Sequence, residues 1–370
     1  MRERIQINNS PISEQLFAKY FFEVWDRLSA TGESKPAYFR FLTLVAFHTF
    51  IKEQVDTAVI ECGIGGEYDS TNLLVSPTVT AVTALGIDHV GMLGDTIEQI
   101  AWHKAGIFKR GALAFTVPQP EAAMRVLRER AAANSVNLQE TTKNPQIASG
   151  QVKLGLAGDF QQSNASLAVA VAKAHLQITN HELPLEFIRG LKLVKWPGRC
   201  DMRHDGKVCW CLDGGHTLES IEVAGQWFAE QAKSQNAKRV LIFNQQHRDA
   251  STLAAALFKT LSTAIGPKPF THAIFTTNVT FKESGYKPDL VSAKTNSDDI
   301  KSLTVQNTLA KEYAKLDKDA KTMVSASIEE AVELVRHIGS DSDVLCFVTG
   351  SLHLVGGALE VLESTGIKAV

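Results

Sequence analysis

No run of the ~20 apolar residues that a bilayer-crossing helix needs occurs in this 370-residue sequence. The most apolar segment, 344–362, is broken by Thr349-Gly350-Ser351, His353 and Gly356-Gly357. The opening MRERIQINNS has no apolar signal-peptide core, so a cytosolic enzyme is expected and a mitochondrial form stays open. Neither charge sign prevails: 38 Lys and Arg stand against 40 Asp and Glu, a net charge of −2. That balance argues against nucleic acid or an anionic membrane as the main partner. Five cysteines, an odd number in mostly apolar surroundings, make no disulfide framework and are expected as reduced thiols. Cys209 and Cys211 have no second ligand pair nearby, which removes a zinc site. The G-x-S-x-G elbow is missing, so Val348–His353 does not support a serine hydrolase. Gly-Lys-Ser and Gly-Lys-Thr, the ends of a phosphate-binding loop, occur nowhere.

What is present belongs to a globular chain: 44% hydrophobic and 21% charged residues, long enough for roughly two domains. Residues 13–30 and 38–54 carry apolar positions at helical spacing. Short β-branched runs follow at Thr57–Ile60, Val79–Leu85 and Leu113–Val117, separated by helical stretches at Thr96–Phe108 and Pro120–Ala133; a long helix is expected over Gln162–Leu176. Lys195-Trp196-Pro197-Gly198-Arg199 marks a junction, and Asp205-Gly206 signals a hairpin between Cys200–His204 and Lys207–Leu212. A second alternation then runs through strands at 239–243, 272–276 and 343–348 with helices between them, and a polar surface insertion at 277–300. The fold class is therefore α/β, with parallel sheets covered by helices and domains over 1–190 and 196–370.

Ligands of parallel α/β sheets sit beyond the carboxyl ends of the strands. Glu61-Cys62-Gly63-Ile64-Gly65-Gly66-Glu67-Tyr68-Asp69-Ser70-Thr71-Asn72 follows one such strand. A carboxylate followed by glycines suits a hard cation held near phosphates, and equally a glycine-rich turn with a solvated Glu61. The glycine order is not that of a dinucleotide fingerprint. His89 ends the next predicted strand and can join Glu61 in a mixed nitrogen and oxygen site, or be a hydrogen-bonded structural residue. Lys104 falls at the same edge, where a plain surface lysine is the other reading. In the second half, Pro197-Gly198-Arg199 and Leu212-Asp213-Gly214-Gly215-His216-Thr217 occupy a comparable edge, which an N-capping loop also explains.

These segments, with Arg2–Ile5, Asn8–Ser13, Gly86–Gly91, His103–Lys109, Gly158–Ala165 and Thr349–Gly357, resemble the folylpolyglutamate synthase family in order along nearly the whole chain. That family sits within the ATP-dependent amide ligases that include the cell-wall Mur ligases. The resemblance implies a P-loop-type ATPase-like domain over 1–190 and a smaller Rossmann-like glutamate ligase domain over 196–370. It implies Mg²⁺ ligation by Glu61 and His89, carbamylation of Lys104, and ATP contacts from Asn164, Arg199 and Asp213. His216 is expected near phosphate or glutamate. The implied activity is ATP-dependent addition of L-glutamate in γ-linkage to tetrahydrofolate and its polyglutamates, through an acyl phosphate, by a monomer. Mg²⁺ is the implied cofactor, and a monovalent cation stays open. Dihydrofolate synthase is the alternative, ranked second because Glu67–Ser70 and Gly350–His353 look more like the eukaryotic polyglutamylating branch. The sequence departs from the family pattern at Gly215, where alanine is usual, and at Phe160, where many relatives carry histidine. The family's phosphate loop lies upstream of the segment resembling Arg2–Ser13, so the chain is expected to begin inside its first domain. A non-catalytic remnant that binds folate or a partner is the corresponding alternative.

Overall fold

Phe17, Tyr20, Phe21, Val24 and Leu28 line one face of α1 (Glu14–Ser29), which starts where the Ser13 hydroxyl accepts the Leu16 N–H at 3.2 Å. α2 (Tyr38–Lys52) returns Phe41, Leu42 and Val45 to that face. Ile5 and Ile12 close this core from either side of a short antiparallel pair, β1 (Gln6–Ile7) and β2 (Ser10–Pro11). The computed structural model describes residues 1–234, 236–246, 249–283 and 303–367. Most of the insertion expected at 277–300 lies outside the described residues.

β3 (Val79–Val82), β4 (Leu113–Thr116) and β5 (Leu138–Glu140) form a three-stranded parallel sheet in that order. Between them in sequence come α3 (Val90–Leu93), α4 (Ile97–Lys104) and α5 (Glu121–Ala133). Ala101, Ala123, Leu127 and Ala131 of these helices share a buried cluster with Val82 and Ala114. The strand expected over Thr57–Ile60 does not form. Among the described residues β3 carries a ladder only with β4, so this segment lacks a hydrogen-bonded strand neighbour there, and Val59 is 90% exposed. Its start is held instead by His175, whose Nε2 lies 2.9 Å from Thr57 Oγ1 and whose Nδ1 lies 2.8 Å from Thr78 Oγ1.

After α6 (Pro145–Ala148), α7 (Phe160–His175) and α8 (Leu185–Leu193) comes a six-stranded sheet. Its strands are β6 (Asp201–Asp205), β7 (Val208–Leu212), β8 (Lys238–Phe243), β9 (His272–Thr276), β10 (Lys321–Ser325) and β11 (Val344–Thr349). Their spatial order is β10-β9-β8-β11-β7-β6, parallel except for the β6–β7 hairpin. The hairpin loop is Gly206-Lys207, one residue later than expected, because Asp205 pairs with Val208 and Gly206 takes φ 56°, as a first-position turn glycine does. β10 was not anticipated: Lys321–Ser325 is short and only half-buried at an edge, so its pattern is weak.

Alternate residues of each central strand enter different cores. Cys209, Cys211, Leu241, Phe243, Ala273, Phe275, Leu345 and Phe347 meet α9 (Leu218–Lys233), α10 (Ala250–Ile265) and α11 (Thr304–Leu316). Val208, Trp210, Leu212, Val240, Ile242, Ile274, Cys346 and Val348 meet α12 (Ile328–Ile338) and α13 (Leu352–Ser364). Burial on both faces explains the unbroken apolar strands. By backbone contacts the chain divides into one unit of 1–142 with 170–179 and another of 143–169 with 180–370.

Candidate active site

In the first unit the glycine loop is folded by Asp69. Its Oδ2 accepts the N–H groups of Gly63 and Ile64, both at 3.0 Å, and its Oδ1 accepts the N–H and hydroxyl of Thr71 at 2.9 and 2.7 Å. The glycines let this loop press on its neighbours. A Cβ at Gly65 would lie 2.8 Å from Leu93 of α3, and one at Gly66 would lie 2.7 Å from the His103 carbonyl oxygen of α4. Glu67 N–H donates to that same carbonyl at 2.7 Å, and Asn72 Nδ2 donates to the Gly106 carbonyl at 3.1 Å. The loop that follows Glu61 thus touches α3, which His89 precedes, and the end of α4, which bears Lys104. Glu61 and Lys104 both act on the Cys62 thiol electrostatically, while burial pushes that thiol upward. Neither side chain hydrogen-bonds or ion-pairs with another described residue.

His89 has left-handed backbone (φ 53°) just before α3. Its N–H donates to Asp88 Oδ1 at 2.7 Å, and its exposed ring Nε2 lies 3.7 Å from Asp88 Oδ2. Among the described residues no three His, Cys, Asp or Glu side chains gather closely enough to hold a metal ion. A set built from Glu61, His89 and a lysine carbamate has only two members of those types, its third being Lys104.

The second unit presents its own cluster at the carboxyl edge of the six-stranded sheet. β8 and β7 lead into helices on one face, whereas β11, lying between them, leads into α13 on the other. Such a reversal opens the crevice in which α/β proteins bind ligands. Asp213 follows β7 and is 5% exposed. Its Oδ2 accepts the Cys200 N–H at 2.9 Å and the Cys200 thiol at 3.5 Å; its Oδ1 accepts the Gly215 N–H at 2.9 Å. Burial raises the carboxyl above its ordinary range, against the lowering pull of the Cys200 N–H and the Arg199 guanidinium. Arg199 Nη1 lies where it would be 3.1 Å from a Cβ on Gly214. His216 Nδ1 is 2.7 Å from the Gly214 carbonyl, and the His216 N–H donates to Ser220 Oγ at 2.9 Å. Thr217 caps α9, its Oγ1 accepting the Ser220 N–H at 3.2 Å, so the capping expectation holds for Thr217. Asp213 instead joins two loops.

The Gly350-Ser351 turn completes this edge. Gly350 N–H donates to the Gly215 carbonyl at 3.1 Å, and Gln245 Nε2 donates to the Gly350 carbonyl at 2.9 Å. Gly350 has φ 102°, and a Cβ there would lie 2.7 Å from the Asn244 carbonyl oxygen, so only glycine fits. Ser351 caps α13, its Oγ accepting the His353 N–H at 3.2 Å. Asn164 lies one turn into α7 and donates to Gln161 Oε1 at 3.0 Å. The start of α7 approaches Cys200: a Cβ on Gly158 would lie 3.5 Å from its Sγ, and Phe160 packs against the core containing Cys200. Arg199, Asp213 and His216 therefore share one edge, with Asn164 one turn beyond a helix start that meets it. Glu61, His89 and Lys104 belong to the other unit. Sequence reasoning missed Cys200, Ser220 and Gln245, all of which act through backbone groups; only Ser220, three residues after Thr217, carries a readable capping signal.

The family profile described as "Dihydrofolate synthetase, C-terminal domain" matches residues 199–361. The folylpolyglutamate synthase of Saccharomyces cerevisiae (strain ATCC 204508 / S288c) is 48% identical over 392 residues, covering 100% of this chain and 70% of that protein. The folylpolyglutamate synthase of Mycobacterium tuberculosis complexed with ADP and AMPPCP superposes with a TM-score of 0.76 at 23% identity, covering 100% of this chain and 83% of that one. An FPGS-AMPPCP-folate complex superposes with a TM-score of 0.69 at 24% identity, covering 98% and 80%. The likeness to the two solved structures concerns the fold.

Proposed function

Because the chain belongs to the folylpolyglutamate synthase family, we propose that it is an ATP-dependent ligase adding L-glutamate in γ-linkage to tetrahydrofolate and its polyglutamates. Relatedness to a curated synthase across the whole chain carries this reading. The γ-carboxylate of the folate attacks the terminal phosphoryl of ATP and forms an acyl phosphate with release of ADP. The amine of L-glutamate then attacks the activated carbonyl and expels phosphate, leaving the amide. Both steps develop negative charge on oxygens, which calls for fixed cations and positioned donors.

The exposed carboxylate of Glu61, the His89 imidazole and a carbamate on Lys104 suit a hard cation completed by nucleotide phosphates. Bound there, Mg²⁺ would supply charge neutralisation on the phosphoryl oxygens. Carbamylation turns Lys104 from a cation, which would repel the metal, into an oxygen ligand. Asn164, Arg199 and Asp213 are assigned to ATP. For Asp213 the assignment works through the loops it joins, since its oxygens already accept three donors from the chain. His216, whose ring is oriented by the Gly214 carbonyl, is assigned beside phosphate or glutamate. The functional division follows as 1–190 for metal and phosphates and 196–370 for the glutamate ligase domain, the latter supported by the profile match. No helix among the described residues is long and apolar enough to cross a membrane; the reading places the protein in the cytosol, as a monomer. Incubation with ATP, labelled L-glutamate and either tetrahydrofolate or dihydropteroate tests the assignment. Labelled product from tetrahydrofolate is expected; product from dihydropteroate alone would make the chain a dihydrofolate synthase.

A further inference from the structure

Glu67 follows the buried Gly65-Gly66 pair of the glycine loop and packs against the turn after α4. Besides its N–H bond to His103, its carbonyl accepts Asn72 Nδ2 at 3.0 Å, and a Cβ on Gly106 would lie 2.4 Å from its Cα. Its carboxylate leaves the loop and ion-pairs with Arg130 of α5, 63 residues further along the chain. The Arg130 guanidinium carbon sits 4.4 Å from the centroid of the Trp102 ring, one helical position before His103. The two charged side chains keep 21% and 27% of their exposure, so water and salt screen the pair less than a surface pair. Arg130 Nε is buried with no hydrogen-bond partner among the described residues. The ring and the carboxylate, not full satisfaction of its donors, therefore set where the guanidinium sits.

We propose that Arg130 is a positioning residue: through Glu67 it clamps the glycine loop onto α4 and the turn after it, and so fixes the segment that carries Glu61 against the segment that carries Lys104. The functional consequence rests on the assignment of Glu61 and Lys104 to the metal-and-phosphate half of the reaction. An ordinary surface pair contributes little and would leave the loop unaffected when removed. The difference here is that Glu67 is joined by backbone and steric contact to the same segment that carries Lys104.

Cys62 reports on the clamp. It lies between Glu61 and Gly63, accepts the Thr71 hydroxyl at 3.4 Å, and is the one cysteine not fully buried; Cys200, Cys209, Cys211 and Cys346 are buried. Iodoacetamide labelling resolved by peptide mass spectrometry, with and without saturating Mg²⁺, is the experiment. Arg130→Met and Glu67→Gln are each expected to speed Cys62 labelling about tenfold, the effect of losing one partly buried charge-assisted pair. The exchanged pair, Glu67→Arg with Arg130→Glu, is expected to restore the slow rate, while the four buried cysteines stay unlabelled throughout. Mg²⁺ is expected to slow Cys62 labelling in the parent and the exchanged pair more than in either single variant. Unchanged labelling in both single variants overturns the clamp, as does labelling of all five cysteines together, which reports global unfolding. Faster labelling in the variants with no Mg²⁺ effect in the parent upholds the clamp and refutes the metal assignment.

Discussion

Asp213 is a carboxylate taken almost wholly out of water, with three donors aimed at it and Arg199 nearby. Desolvation outweighs those donors, so its folded value lies above the ordinary 3.8. A group raised on folding contributes stability that is fully present below its unfolded value and is lost as pH rises through the folded value. Asp213→Asn does not titrate. The stability of the parent minus that of Asp213→Asn is therefore expected to fall as pH rises through the acid range above 3.8. Urea titrations of both proteins at several acidic pH values check this; a difference that instead rises with pH would show that donors, not burial, dominate. The importance of Asp213 was legible in its position after an apolar strand. Its partner was not, because Cys200 reaches it from 13 residues upstream, with a left-handed backbone (φ 48°) that no glycine announces.

The start of α9 shows how one element holds a candidate site residue. Thr217 and Ser220 cap each other reciprocally, and Ser220 Oγ accepts the N–H groups of both Thr217 and His216 at 2.9 Å. Removing the Thr217 hydroxyl should cost about 1 kcal/mol, the ordinary value of an N-cap. Ser220→Ala leaves two N–H groups without their acceptor and should cost about 1–3 kcal/mol. Chemical denaturation is expected to rank Ser220→Ala as the more destabilising; the reverse order would show that His216 is held by other contacts. The helix itself was readable from periodicity, since Ile221, Ala224, Trp227 and Phe228 recur on its buried face. The segment Thr57–Ile60 was misread by the same logic, because β-branched residues favour a strand only where a neighbour supplies the ladder.

Across the molecule the two units carry separate buried clusters, and β11 is the element on which the larger sheet depends. It lies between β8 and β7, and all six of its residues are buried. Phe347 stacks on Phe228 with ring centroids 4.6 Å apart. Phe347→Ala should destabilise by about 3–5 kcal/mol, since a cavity at a rigid sheet centre cannot collapse. Hydrogen exchange is expected to accelerate across 208–212, 238–243 and 344–349 while 79–82 and 113–116 keep their protection. Equal acceleration in both sets would contradict the separation of their cores. The far edge is held by charge: Arg203 of β6 is 1% exposed and donates to Glu363 at 2.9 Å and to Asp201 at 3.4 Å. Strand β6 is thereby tied to α13, which guards an edge that would otherwise be open to pairing.

Local chemistry determined which elements this chain makes. Apolar runs flanked by polar turns set β7, β8, β9 and β11; helical spacing set α1, α2, α9 and α10; and the loops with glycine next to Glu61 and Asp213 marked where ligands are expected. These features depend on residues within a few positions of one another, so a linear reading reaches them. Tertiary structure alone decided that the last strand would be inserted between β8 and β7. It also decided that Cys200 would meet Asp213, and that Arg130 would reach back to Glu67. Each of those contacts closes a long loop, and its free energy comes from packing that exists only once both ends are in place. No property of Arg130 in its own helix distinguishes it from the arginines beside it, until the Trp102 ring and the Glu67 carboxylate are brought to it.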